Sequence, residues 1–231
     1  MNTVNKLSLQ DKERILKHVD HTVLSPTATW EDIQTCLIDT RNLQMASACI
    51  PPSFVEMAAK WRKSLPSCQH IKICTVIGFP NGYSTAITKF NEARDAISKG
   101  ADELDVVINL TWVKSGDYAS IRQELEALRE VAKRQVLKVI IETSSLTDEE
   151  KIKLCEIVTE VGADYIKTST GFAGGGATVE DVSLLRKHVG PNVLVKASGG
   201  IRTFEDAKAM LDAGADRIGS SGLARLMEID A

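Results

Sequence analysis

No two cysteines in this 231-residue chain are spaced as a CxxC pair. The five present, Cys36, Cys49, Cys68, Cys74 and Cys155, are odd in number. That argues against a disulfide framework or a zinc module and predicts reduced thiols in a cytoplasmic protein. Long apolar runs are also missing: none approaches the ~18 residues of a membrane helix. The opening stretch MNTVNKLSLQDKER has no apolar core of a signal peptide, so none is expected. Neither sign of charge prevails, with 28 Lys and Arg against 31 Asp and Glu, a net charge of −3 and a pI near 5.9. A general nucleic-acid or membrane-surface role is therefore not expected, although a local basic site is still allowed. No His, Asp or Glu cluster has evident metal-ligand spacing, so neither a metal nor a cofactor is expected.

What remains is ordinary for a soluble globular enzyme, with 43% hydrophobic and 26% charged residues. Pattern and punctuation divide the chain without a Pro- or Ser-rich linker. Ser8 caps a short helix over about 8–17. Strands are predicted over His18–Leu24, Met45–Ile50, Ile71–Ile77, Glu103–Ile108, Leu137–Ile141, Tyr165–Thr168, Val193–Lys196 and Arg217–Gly219. Helices are predicted over Thr29–Asn42, Ser53–Lys63, Thr85–Lys99, Tyr118–Arg134, Thr147–Val161, Thr178–His188 and Thr203–Ala213, with a last one from about Gly222. Strict alternation implies parallel strands with right-handed crossovers. Eight units in about this length match a single-domain (β/α)8 TIM barrel over 1–231, a fold of typically ~250 residues. A doubly wound open sheet fits less well, because no GxGxxG follows the first strand.

One phrase occurs three times, as Gly100-Ala101-Asp102, Gly162-Ala163-Asp164 and Gly214-Ala215-Asp216, each before a strand. Each glycine suits the residue just past a helix, where positive φ is cheap. Five residues on from the three glycines stand Asp105, Lys167 and Gly219. If the units are equivalent, a carboxylate, an amine and a bare backbone share one level of a common site.

Period-two alternation sets Leu104, Val106 and Ile108 against the helices and turns Asp105 into the barrel. Lys167 and Lys196 enter by the same logic. A free lysine with a pKa of ~10.4 is protonated and not nucleophilic at neutral pH. A neighbouring ammonium and desolvation lower that value and free an amine for Schiff-base chemistry. The alternative is structural: one lysine pairs with Asp105 and the other reaches water. Gly199-Gly200 after strand seven and Gly219-Ser220-Ser221-Gly222 after strand eight occupy the usual phosphate position of this fold, with Arg202 close in sequence. Other polar residues at strand ends are Asp20, His21, Cys49, Asn109 and Glu142. His21 is expected to pack beneath the site, and Glu142 to pair with Lys138 on strand five.

Six stretches carry a resemblance: DHTVLSPTAT, TVIGFPNG, GADELDVVIN, KVIIETSSLTDEE, GADYIKTSTGF followed by GGAT, and VKASGGIRTFEDA. From Asp20 to about Gly222 the chain resembles the deoxyribose-phosphate aldolases. The resemblance implies a metal-free class I aldolase on a (β/α)8 barrel. Such an enzyme reversibly cleaves 2-deoxy-D-ribose 5-phosphate to glyceraldehyde 3-phosphate and acetaldehyde, in deoxyribose phosphate catabolism. It further implies Lys167 as the Schiff-base lysine, Lys196 as the lysine that sets its pKa, and Asp105 as proton relay. Gly171, Gly199, Gly200, Ser220 and Ser221 would contact phosphate, and a homodimer would form. The last loop, RIGSSG, is one residue shorter than the family's RIGTSSG pattern, which leaves open which serine faces the phosphate. Two rival readings are a transaldolase-like lysine aldolase and a catalytically silent phosphosugar-binding barrel.

Overall fold

A computed structural model describes residues 7–229. After helix α1 (Leu9–Leu16), strands and helices alternate. They run β1 (Val19–Thr22), α2 (Trp30–Asn42), β2 (Ser47–Ile50), α3 (Val55–Ser64), β3 (Ile73–Ile77), α4 (Ala86–Lys99) and β4 (Glu103–Val107). Then come α5 (Leu110–Lys114), α6 (Tyr118–Val131), β5 (Val136–Ile140), α7 (Asp148–Val161), β6 (Tyr165–Lys167) and α8 (Val179–His188). The chain finishes with β7 (Leu194–Ser198), α9 (Phe204–Asp212), β8 (Arg217–Ser220) and α10 (Leu223–Ile229). The eight strands are parallel and close into a barrel in sequence order, β8 pairing with β1. Short α5 falls in a stretch where no element is predicted, and the first turn of the Ser53–Lys63 helix is a separate 3-10 turn, Pro52–Phe54. Side chains of Ser8, Thr29, Thr147, Thr178 and Thr203 accept backbone N–H groups at their helix starts, whereas Thr85 makes no such bond.

The core lies between barrel and helices, where Leu104, Val106, Ile166, Val195 and Ile218 meet buried residues such as Leu125, Leu154, Ile157 and Leu185. Among the described residues no helix is long and apolar enough to cross a membrane. All five cysteines are free and buried.

The thrice-repeated phrase has a structural job. Gly100 and Gly162 cap α4 and α7, and Gly214 follows α9 at the same kind of turn, with φ of 108°, 72° and 108°. The aspartate two residues later accepts an N–H from the first or second residue of the preceding unit's strand: Ile73 to Asp102 at 2.8 Å, Leu137 to Asp164 at 2.8 Å, and Val195 to Asp216 at 2.9 Å. An arginine from α3, α6 or α8 meets each carboxylate, as Arg62–Asp102, Arg129–Asp164 and Arg186–Asp216. The same arginines bond the carbonyls of Ile71, Gln135 and Val193 just before the strands. These clamps sit at the N-terminal rim, opposite the strand ends that carry chemistry in this fold.

Strand register explains why residues counted from those glycines share a level. Asp105 pairs with Lys138 and Lys138 with Tyr165, so two strands on, the ladder arrives two residues short of Lys167. The same two-residue slip separates Arg217, the ladder partner two strands beyond Tyr165's neighbour Lys167, from Gly219. Four such steps around eight strands give the shear of 8 typical of this barrel. Stacked inside are therefore layers of four. Ser47, Glu103, Tyr165 and Arg217 form the lowest; Asp20, Cys74, Lys138 and Lys196 the middle; Cys49, Asp105, Lys167 and Gly219 the upper.

Candidate active site

All three layers hold ionised side chains where a barrel of this kind normally carries branched apolar ones. Asp105 is fully buried, and both of its oxygens are shared. Oδ2 accepts from Lys167 and from Lys196, each at 2.7 Å. Oδ1 accepts from Lys138 at 2.9 Å and from the Cys74 thiol at 3.2 Å. Lys138 also pairs with Glu103 at 2.6 Å and reaches Asp20 at 3.5 Å. Lys196 pairs with Asp20, which in turn binds Arg217 at 2.5 Å and accepts from Ser47 at 2.6 Å. Arg217 lies over the ring of Tyr165, 5.4 Å from its centroid.

Charge explains how so many ions survive burial. Lys138, Lys167, Lys196 and Arg217 face Asp20, Glu103 and Asp105, four cations against three carboxylates. Burial pushes the carboxyls of Asp20 and Asp105 up. The lysines around both, with Arg217 at Asp20, outweigh it and hold them well below the usual carboxylate range. Burial likewise pushes Lys138 and Lys196 down, but Asp105 and Asp20 prevail and keep both ammoniums above their ordinary value. The network thus carries one surplus positive charge. Lys138 has three carboxylate partners and Lys196 two, while Lys167 has one.

Lys167 is also the lysine that reaches the outside. It lines a cavity of ≈ 550 Å³ at the C-terminal mouth of the barrel, together with Thr22, Leu24, Thr170, Phe172 and Arg202. Gly171, Gly199, Gly200, Ser220 and Ser221 line the same cavity. All eight residues singled out from sequence are thus within one connected assembly, Asp105 level with Lys167 and Lys196 in the layer beneath. The two serines differ. Ser220 is buried, donates to the carbonyl of Ile201 at 3.0 Å and accepts from Gly222 N–H at 3.3 Å. Ser221 is exposed on the cavity wall.

Sequence reasoning missed three participants. The pattern marks Asp20 as a polar strand-end residue without a role, gives Lys138 a different partner, and shows Arg217 only as the start of a strand. Lys138 does not pair with Glu142: it points down to Glu103 and across to Asp105, while Glu142, beyond the end of β5, accepts from Thr170. A signal for Lys138 existed, a lone cation with buried Leu137 and Val139 on either side. His21 faces the helices, with Nε2 3.5 Å from Asp39 on α2.

Among the described residues, two triplets of buried donors come close enough to hold an ion, Cys49-Cys74-Asp105 and Asp20-Cys74-Glu103. Spacing along the chain did not reveal them. The Lys138 ammonium reaches Asp20, Cys74, Glu103 and Asp105, and so already supplies positive charge where an ion would sit.

Fold and site together define a lysine-centred (β/α)8 barrel of the aldolase class. The family model described as DeoC/LacD family aldolase matches residues 14–229, and the chain belongs to that family of carbon–carbon lyases. It is 49% identical over 216 residues to the deoxyribose-phosphate aldolase of Clostridioides difficile strain 630, covering 94% of this chain and 96% of the relative. It is 51% identical over 217 residues to that of Streptococcus pyogenes serotype M28, covering 94% and 95%. Among solved structures, the tetrameric deoxyribose phosphate aldolase of Aeropyrum pernix superposes with a TM-score of 0.86 at 32% identity, covering 95% of this chain and 92% of that one.

Proposed function

We propose that the protein cleaves 2-deoxy-D-ribose 5-phosphate reversibly to glyceraldehyde 3-phosphate and acetaldehyde through a Schiff base on Lys167, in deoxyribose phosphate breakdown. One observation carries this reading: of three lysines bonded to Asp105, Lys167 alone borders the substrate-sized cavity. With four cations on three carboxylates, the network can lose one proton and become neutral. Loss from Lys167 breaks the fewest ion pairs, and its amine is the one a substrate can reach.

Neutral Lys167 attacks C1 of the open-chain sugar, and loss of water leaves an iminium. The C3 hydroxyl gives its proton, through a water, to the network centred on Asp105. The C2–C3 bond breaks, its electrons enter the enamine, and glyceraldehyde 3-phosphate departs. Protonation at C2 and hydrolysis release acetaldehyde and restore the lysine. Lys196, held charged by Asp105 and Asp20, keeps a positive field beneath the reacting nitrogen. Gly171, Gly199, Gly200 and Ser221 bind the phosphate, far from the breaking bond, so that binding energy serves orientation. Ser220 shapes their loop. Reduced buried thiols support a cytoplasmic location. The homodimer rests on the resemblance alone, and sedimentation tests it. The central experiment is to incubate the protein with acetaldehyde, reduce with borohydride and locate the adduct by peptide mass. An adduct on Lys167 is expected. Its absence from every lysine overturns the mechanism.

A further inference from the structure

Immediately past β5 the backbone does something unusual. Glu142 adopts φ 56° and ψ 68°, a left-handed conformation that costs a residue with a Cβ, and it does so with 1% of its surface exposed. No cation lies within ion-pair distance of its carboxylate among the described residues. Instead Oε2 accepts both from the N–H of Thr170 at 3.0 Å and from its hydroxyl at 2.6 Å. The Thr170 hydroxyl oxygen then accepts the N–H of Phe172 at 3.1 Å. Thr170, Gly171 and Phe172 all line the lysine cavity, whereas Glu142 does not.

A second contact runs beside the first. In the turn Thr143–Ser145 that Glu142 begins, the N–H of Thr143 donates to the carbonyl of Thr168 at 2.9 Å. Ser144 lies so close to Gly175 that a Cβ there would meet its side chain at 2.3 Å. The next residue, Gly176, leaves no more room: a Cβ would lie 2.4 Å from the carbonyl oxygen of Gly199. Ala177 N–H bonds the carbonyls of Ser198 and Gly199 at 3.1 and 3.0 Å. The turn after β5 therefore grips the loop after β6 at both ends, and that loop rests on the glycines after β7.

We propose that Glu142 is a positioning residue of the active site. Its carboxylate clamps Thr170 and so sets the loop that presents Gly171 and Phe172 to the phosphate end of the substrate. The strained backbone is what brings the carboxylate into reach of Thr170. This inference rests on the cavity being the phosphosugar site.

Two variants separate positioning from plain support. Asparagine tolerates left-handed φ but is one methylene too short to reach Thr170, whereas glutamine keeps the reach and an oxygen that accepts both bonds. For Glu142→Asn, amide exchange at Thr170 and Phe172 should speed up. The Kd for inorganic phosphate and the KM for 2-deoxyribose 5-phosphate should each rise about tenfold, with kcat within about threefold, the mark of lost uniform binding. The melting temperature should not fall, and Glu142→Gln should behave as wild type throughout. Unchanged exchange and phosphate affinity in Glu142→Asn overturns the proposal. So does a lower melting temperature with unchanged KM, which is mere support, or Glu142→Gln as impaired as Glu142→Asn, which makes charge and not the clamp the cause. If wild type does not turn over the sugar but Glu142→Asn still weakens phosphate binding, the aldolase reading falls and this one stands.

Discussion

Lys167 and Lys196 stand directly opposite each other in the register of β6 and β7, and both donate to the same oxygen of Asp105 at 2.7 Å. Two ammoniums on one carboxylate oxygen are tolerable only because Asp20 shares the charge of Lys196. Among the described residues Lys167 has no such second anion. The asymmetry assigns the nucleophile and the permanent cation, and it sets the first prediction. Borohydride trapping with acetaldehyde should label Lys167, and Lys167→Ala should abolish turnover. Label on Lys196 alone would reverse the roles.

Lys196→Met keeps the stem volume and removes the charge. The network then balances, three cations on three carboxylates, and the electrostatic reason for Lys167 to release a proton is gone. Activity at pH 7 should fall and the optimum should move to higher pH. The stability loss should stay below the ~3–5 kcal/mol of a stranded buried ion, because Asp20 and Asp105 keep other cations. A variant that melts earlier but keeps the wild-type pH–rate profile would make Lys196 a structural residue.

Ser221→Asp places a carboxylate on the cavity wall where the phosphate is assigned. Repulsion there should cost about 1–3 kcal/mol, roughly ten- to hundredfold in kcat/KM. Plain 2-deoxyribose should be turned over nearly as before. Equal losses on both substrates would put the phosphate elsewhere. Ser220→Ala should disturb both substrates, since that hydroxyl ties its loop to Ile201.

Stability should depend on pH in a window fixed by the same ions. Asp20 and Asp105 are held below their unfolded pKa, so their contribution is complete above about pH 4 and is lost as pH falls through the folded values. Lys138 and Lys196 are held above theirs, so their contribution is complete below about pH 10 and is lost as pH climbs through the raised values. Denaturant titrations should give a plateau between those limits. Asp20→Asn should lower the plateau and flatten its acid limb. A wild-type acid limb in that variant would show that Asp20 does not stay charged in the folded protein.

Chelation should leave aldol cleavage unchanged, since Lys138 already supplies positive charge to the carboxylates of both candidate triplets. Loss of activity in EDTA, with recovery on adding zinc, would contradict this.

The upper layer of the site was legible in the sequence because the Gly-Ala-Asp phrase precedes β4, β6 and β8 and counts Asp105, Lys167 and Gly219 to one level. No such marker precedes the odd strands. In the layer beneath, alternation along β7 gave Lys196, but Asp20 and Lys138 join it only when the barrel closes and register brings β1, β5 and β7 together. The mispairing of Lys138 with Glu142 has the same root. Alternation along one strand gives a side chain's face, but its partner lies across the barrel on another. Strand limits were read to within a few residues, and short α5 escaped because five residues carry too little periodicity.

Asp20 belongs to the first strand and Arg217 to the last, and their ion pair spans the place where the cylinder is sewn shut. The three arginine clamps brace β3 to β8, but none spans this seam. Besides the strand ladder and the His18 ring nitrogen at the carbonyl of Asp216, its ionic fastening is the network that would run the chemistry. A graft that swapped those ions for a dry, well-packed core would loosen the join between the two ends of the chain as well as silence the lysine. Thermostabilising substitutions therefore belong at the clamped rim and away from the seam, for example at Arg62–Asp102 between α3 and the start of β4.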